Sequence, residues 1–379
     1  MCNHQTTSRA DTVGSFLRPE RLKEAREQFA QGTISRQELS AVEDEEILKL
    51  IDKQKEAGLT VVSDGEFRRS YWHLDFFWGF EGVEHVNMGQ GYLFHGEETR
   101  DDSARLSGKI RFTAGHPFLA HFRFLKENVG EGIEARQSIP APAQLYAELV
   151  RGVNEEKVNE IYPDRKVLFA DISHAYREAI LAFYELGCRD LKLDDCTWGM
   201  LCDKNFWATM AGANYNMEDL KETYLKLNND ALKDLPADLK LSTHVCRGNY
   251  HSTWASSGGY EPVAEVLFGK ENVDSFFLEF DDERSGGFEP LRFVSGNKKV
   301  VLGLITSKHP ELEAKEQIKA RIREASQFVP LDRLYLSPQC GFASTEEGNK
   351  LTEQQQWDKV RLISDIAAEV WSDRKEGCS

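Results

Sequence analysis

The strongest constraint on this chain is an alternation, in which about eight short apolar runs are each followed by a segment of helical period. The runs lie near 9–16, 60–63, 134–139, 190–194, 240–243, 275–279, 299–304 and 332–336. Between them, Leu22, Ala25 and Phe29 mark one helical stripe. Ser35 and Glu38 form a capping box ahead of a second, and Leu168, Ile172, Ala175, Ile180 and Phe183 mark a long third. Strands separated by whole helices pair in parallel, because a parallel pair needs a crossover where an antiparallel one needs only a turn. No Pro-, Gly- or Ser-rich linker divides the series, and no GxGxxG follows a strand, which disfavours an open dinucleotide-binding sheet. The expected architecture is α/β: one (β/α)8 TIM barrel over residues 1–379, with an elaborated loop after the second strand at about 71–116. That stretch is rich in Gly, His and aromatics and reads as a long loop or hairpin insertion.

Charge and cysteine usage narrow the function. A formal net charge of −16 argues against nucleic acid or an anionic membrane as the main partner, since both repel a negative field. The opening residues Met1–Ser8 lack an apolar core, and no apolar run is long enough to span a bilayer, so a cytoplasmic location is expected. Seven cysteines, an odd number scattered over 379 residues, do not make a disulfide framework. Free thiols, some of them metal ligands, fit better.

In a parallel barrel the chemistry sits at the C-terminal ends of the strands, so polar residues there form the candidate site. In Leu241-Ser-Thr-His-Val-Cys-Arg-Gly248, His244 and Cys246 are two residues apart at a strand end and face the same side. By itself such a pair is more often a buried His beside a small apolar Cys. The run Phe276-Phe-Leu-Glu279 ends on a carboxylate, and Leu334-Tyr-Leu-Ser-Pro-Gln-Cys340 ends on a thiol. Together His244, Cys246, Glu279 and Cys340 offer one imidazole, two thiolates and one carboxylate, a donor set suited to zinc. Such ligands around Zn²⁺ leave a charge of about −1, which keeps a bound thiol nucleophilic after it loses its proton. Ser15, Asp64, Glu66, Asp194 and Lys308 also follow strands. Asp195 points away from the face of Asp194 and reads as structural. Cys188, Cys196 and Cys202 read as inert thiols, and His73, His85, His95, His116 and His121 as loop or surface residues.

These residues resemble the cobalamin-independent methionine synthases, over most of the chain and in the manner of the family's catalytic C-terminal half and its short single-barrel members. Thr12-Val-Gly-Ser-Phe-Leu-Arg-Pro19 is similar to the family's opening IGSFP stretch, Asp64-Gly-Glu66 to its HGE, and Leu193-Asp-Asp195 to its IDEP. His244-Val-Cys246, Glu279 and Pro338-Gln-Cys-Gly341 match its four zinc ligands in type and order, and Gly303-Leu-Ile-Thr-Ser-Lys308 matches the short members. The resemblance implies a zinc enzyme that moves a methyl group, from 5-methyltetrahydrofolate, to the thiol of homocysteine to form methionine. It implies that Glu66 and Asp194 hold the substrate ammonium and that the Ser15 turn receives its carboxylate.

Three departures concern the donor side. The N-terminal half of the long enzymes has no counterpart in this sequence. Where the family has an indole that stacks on the pterin, this chain has Pro140-Ala-Pro-Ala-Gln-Leu-Tyr146, so Tyr146 is the expected stacking residue. Where the long enzymes carry a proton-donating His, Lys308 and His309 stand. The alternatives are a related zinc alkyltransferase with another donor or thiol, and a non-catalytic barrel that binds zinc or a thiol compound.

Overall fold

The computed structural model describes residues 8–210 and 216–371; Cys2 and Cys378 lie outside them. Its strands are β1 (Val61–Val62), β2 (Glu81–Asn87), β3 (Leu93–Phe94), β4 (Glu97–Glu98), β5 (Asp102–Arg111), β6 (Glu134–Pro140), β7 (Asp190–Asp194), β8 (Lys240–Val245), β9 (Ser275–Glu279), β10 (Lys299–Ile305) and β11 (Leu334–Pro338). One curled sheet runs β1-β6-β7-β8-β9-β10-β11, with every neighbouring pair parallel. Sequence neighbours are therefore sheet neighbours, as successive βα units require.

The expected first strand is mostly extended chain. Ala10 forms a single parallel bridge with Leu336, and Asp11 N donates to Leu336 O at 2.9 Å. At its far end Phe16 N donates to Gly65 O at 3.1 Å, and Ser63 Oγ donates to Gly14 O. Segment 9–16 thus lies between β11 and β1 and closes the TIM-type barrel. A buried ion cluster ties it to the barrel floor: Arg136 reaches Asp11 and Asp190, each at 2.6 Å.

Helices cover the sheet through apolar stripes. Arg36–Glu56 starts at the expected box: Glu38 N donates to Ser35 Oγ at 3.2 Å, and Ser35 N donates to Glu38 Oε2 at 2.7 Å. The 21-residue helix Arg165–Glu185 buries Leu168, Ile172, Ala175, Ile180 and Phe183. Among the described residues no helix is long and apolar enough to cross a membrane.

Of the two readings of 71–116, the hairpin is the one observed. β2 and β5 pair antiparallel, and the small β3–β4 hairpin sits between them. Two of the histidines read as loop or surface residues are buried, because this insertion packs against the barrel. His116 Nε2 contacts Phe76 O at 3.0 Å, and His73 is 4% exposed.

Candidate active site

A cavity of about 460 Å³ opens at the C-terminal ends of the strands. Val13, Ser15, Glu66, Asp194, Cys196, His244, Cys246, Cys340 and Gly341 line it from the barrel side. Tyr71, Trp72, His73, Tyr92, Leu93 and Phe94 of the insertion line the opposite side. The insertion's wall is braced from within: His73 Nε2 lies 3.1 Å from Tyr92 Oη, and Arg151 stacks over the Tyr92 ring at 4.0 Å. Burial pulls the His73 pKa down to about 3, so this wall presents a neutral imidazole.

At the barrel end, ligand atoms of His244, Cys246 and Cys340 all lie within 4.8 Å of one another, and all three residues are buried. His244 Nδ1 faces Phe277 O at 3.3 Å, while Nε2 is buried with no hydrogen-bond partner. A donated Nδ1–H leaves the Nε2 lone pair free, the arrangement of a metal-ligating imidazole. The thiols are crowded. The contact with Cys196 holds the Cys246 pKa well above its ordinary value, and the contact with Cys246 does the same to Cys340. A divalent cation among them reverses that preference, because it stabilises each thiolate more than the neighbours oppose it. The donor set thus fits zinc.

Glu279 stands apart from this group. Its Oε2 accepts from Arg247 N at 2.9 Å, Arg284 Nη1 lies 3.6 Å from Oε1, and Oε1 has no hydrogen-bond partner. The carboxylate is fully buried, and its Oε1 is held only by the longer ion pair with Arg284.

Beside His244, Cys246 and Cys340 lie two more carboxylates. Glu66 Oε1 accepts from Ser138 Oγ at 3.0 Å and lies 3.3 Å from Arg69 Nη1, while Oε2 has no partner. Asp194 Oδ1 lies 3.6 Å from Lys192 Nζ and accepts no hydrogen bond. Burial raises both carboxyl pKa values. Two buried oxygens without donors beside a cavity are the complement of a cationic ligand. Backbone strain places the first of them: Glu66 has φ 61°, left-handed and unfavourable for a side chain. Arg18 Nη2 holds that turn by donating to Glu66 O at 2.6 Å, and Glu66 N donates to Asp64 Oδ1 at 2.9 Å. Ser15 meets the C-terminal loop across from this pair, where Ala343 N donates to Ser15 Oγ at 3.3 Å.

Three of the sequence readings meet a different placement in the structure. Tyr146 packs edge-on against Phe169 at 5.0 Å and does not line the cavity; Gln144 does. Two residues along the helix Pro142–Leu149 is a turn of about 200°, which sends the two side chains to opposite sides. Neither Lys308 nor His309 lines the cavity: His309 is exposed, and Lys308 is buried near Asp281, whose carboxyl it influences. The chain turns off β10 through Ser307, whose N donates to Gln339 Oε1 at 2.6 Å and whose Oγ donates to Gly341 O at 2.8 Å. Cys196, read as inert, lines the cavity with its sulfur 3.5 Å from that of Cys246. It and the aromatic wall went unseen in the sequence; for Cys196 the available signal was its place two residues past Asp194.

The family model for the catalytic domain of cobalamin-independent synthase matches residues 7–82 and 165–368. An uncharacterized Bacillus subtilis protein, YxjH, is 48% identical over 364 residues, covering 96% of this chain and 94% of its own. A methionine synthase of Saccharolobus solfataricus is 21% identical over 342 residues, 87% of this chain and 86% of that relative. Among solved structures, a candidate vitamin-B12-independent methionine synthase from Listeria monocytogenes is 42% identical, with a TM-score of 0.75, and covers 96% of this chain and 97% of its own. The fold is shared by a B12-independent methionine synthase from Shewanella sp. W3-18-1, solved in complex with selenomethionine: 19% identity, TM-score 0.70, coverage 97% and 99%.

Proposed function

The chain belongs to the cobalamin-independent methionine synthase family, and on that premise we propose that it is a zinc-dependent methyltransferase that converts homocysteine to methionine. The observation that carries this reading is the meeting, in one cavity, of the His244, Cys246 and Cys340 donors with the unpartnered oxygens of Glu66 and Asp194. Homocysteine carries a thiol and an ammonium on one short chain, and the site offers a partner for each.

His244, Cys246 and Cys340 would hold the zinc, with Glu279 as the fourth ligand through Oε1, which accepts no hydrogen bond. The bound metal supplies acidification of a thiol at neutral pH. Glu66 and Asp194 bind the substrate ammonium, which returns both carboxylates to the charged form despite their burial. The Ser15 turn receives the substrate carboxylate. Held at both ends, the sulfur has one direction open to it, toward the aromatic wall, where the methyl donor enters. That wall excludes water and orients the methyl group for in-line transfer.

The donor proposed is 5-methyltetrahydrofolate. One observation favours a second reading, in which another methyl donor is used: Tyr92, Leu93, Phe94, Gln144 and Arg151 all line the cavity from residues 83–164, which the family model does not match.

Metal analysis and turnover test both readings. About one zinc per chain is expected, lost in Cys246→Ser or Cys340→Ser. Methionine should form from homocysteine with at least one donor of a panel that includes mono- and polyglutamyl methyltetrahydrofolates. Zinc content untouched by both substitutions would sink the site, and turnover only with a non-folate donor would select the second reading.

A further inference from the structure

We infer that two buried amides, Asn249 and Asn349, position the pocket that receives the substrate carboxylate, and that they act through Gly341 on Ser15. The inference rests on the homocysteine reading above and names the residues that shape one end of it.

The pocket is backbone held against backbone. Ser15 and Gly341 both line the cavity, and a Cβ on Gly341 would fall 1.8 Å from Ser15 Oγ, so only glycine permits the approach. The next two residues grip Ser15: Phe342 N donates to Ser15 O at 3.0 Å, and Ala343 N donates to Ser15 Oγ at 3.3 Å. The direction of the Gly341 peptide therefore sets the Ser15 turn.

Side chains from two other strand ends fix that peptide. Asn249 Nδ2 and Ser307 Oγ each donate to Gly341 O at 2.8 Å. β9 and β10 stand between β8, which leads to Asn249, and β11, which leads to Gly341. Strand pairing cannot bring these ends together, so the Asn249 bond reaches across the top of the barrel. Asn349 locks it in place: its Nδ2 donates to Asn249 Oδ1 at 2.9 Å and to Ser307 O at 2.7 Å, and its Oδ1 accepts from Ser252 N at 3.0 Å. A backbone carbonyl only accepts and a backbone N–H only donates, so Gly341 O, Ser307 O and Ser252 N fix both amides in one orientation. Asn249 lines the cavity, yet its two N–H donors are spent on Gly341 O and Ser344 Oγ. It has none for a carboxylate, so its part is positioning.

Backbone strain marks the same junction. His251 and Ser252 have φ 45° and 64°, successive left-handed residues that are not glycine. Asn349 holds that turn through Ser252 N, and Lys350 N donates to Ser252 Oγ at 2.9 Å. Local preference is overridden where the amide pair meets the loop, as befits a junction whose geometry serves a site.

Calorimetry on the zinc-loaded full chain tests this with two ligands: methionine, and its decarboxylated amine, which keeps the thioether and the ammonium. The wild type should bind methionine more tightly. In Asn249→Ala, affinity for methionine should fall about 10-fold, the scale of one hydrogen bond, while that for the amine is unchanged. Ser307→Ala leaves both amides in place and should show the same selective loss at about 3-fold. Zinc content should hold in both variants. Equal weakening of the two ligands, weakening of neither, or loss of zinc would overturn the inference, since a general brace of the fold or of the metal site does not tell the ligands apart. A wild type with no preference for methionine would instead sink the carboxylate end of the homocysteine reading. Should Asn249→Ala fail to fold, Ser307→Ala decides the matter.

Discussion

Asp194 and Asp195 are adjacent in sequence, both buried, and both carboxyl pKa values are raised by burial, yet they belong to different regions of the molecule. Asp194 faces the cavity beside Glu66, and each keeps an oxygen that accepts no hydrogen bond. Asp195 turns outward to the helical layer. Its Oδ1 accepts from Thr197 N at 3.0 Å, and its Oδ2 from Asn228 Nδ2 at 2.8 Å. Asn228 Nδ2 also donates to Glu271 Oε1 at 3.0 Å, and Ala143 N donates to Asn228 Oδ1 at 3.0 Å. Asp195 is thus satisfied at both oxygens, and Glu271, whose Oε2 also lacks a partner, lies away from the cavity, whereas the open oxygens of Glu66 and Asp194 belong to residues that line it. Burial and raised pKa are common to both pairs. The count of satisfied oxygens at the cavity is what separates a binding group from a structural one.

The hardest blow to that distinction would come at Asn228. Asn228→Leu strips partners from Asp195 Oδ2, Glu271 Oε1 and Ala143 N together, and the expected loss is about 3 kcal/mol or more in urea unfolding. A loss below about 1 kcal/mol would mean that the outer network is as loosely held as the cavity pair. Glu66→Gln and Asp194→Asn should behave in the opposite way. Each removes a desolvated charge that has no full set of donors, so stability is expected to hold or rise. Affinity for methionine, measured by calorimetry, should fall about 10- to 100-fold, the range for a lost charged hydrogen bond. Unfolding of either variant at the cost expected for Asn228→Leu would erase the contrast.

Parity along a strand made Asp194 and Asp195 separable in the sequence, since successive side chains face opposite sides. The same rule joined His244 to Cys246, and the rule that barrel chemistry sits at strand ends brought in Cys340 and Glu66. For Cys196 the place two residues past Asp194 put it on the cavity side, but its neighbour is set by the register between β7 and β8, which no single strand encodes. Tyr146 was named from the family resemblance alone, and Gln144 lines the cavity in its place because the two fall on opposite sides of a helix whose inner face the sequence does not declare. The insertion's aromatic wall depended on how a hairpin folds back over the barrel, a long-range contact with no local signal. Lys308 and His309 follow β10 as expected, but the Ser307 hydrogen bonds set the direction in which the chain leaves it.

The finest test of the contrast is pH. Burial raises the Glu271 carboxyl from 4.5 to about 8, so at neutral pH the folded chain retains a proton that the unfolded chain has lost. Stability from this group is complete below about pH 4.5 and declines as pH rises through about 8, because the unfolded state then releases its proton and the folded state does not. From pH 6 to 7 the decline is at most about 1.4 kcal/mol. Glu66 and Asp194 contribute with the same sign, since burial raises them too. Saturating methionine separates the regions. Its ammonium restores the charged form of the cavity pair and removes their share of the slope, while Glu271, which does not line the cavity, keeps its own. Glu271→Gln preserves the acceptor for Asn228 and cannot titrate. With methionine present, its unfolding free energy should therefore change more favourably from pH 6 to 7 than that of the wild type, by up to about 1.4 kcal/mol, since the buried His73, His116 and His121 and the carboxyl of Asp195 contribute alike to both proteins. Equal slopes in the two proteins would place the proton elsewhere and make Glu271 an ordinary charged partner of Asn228.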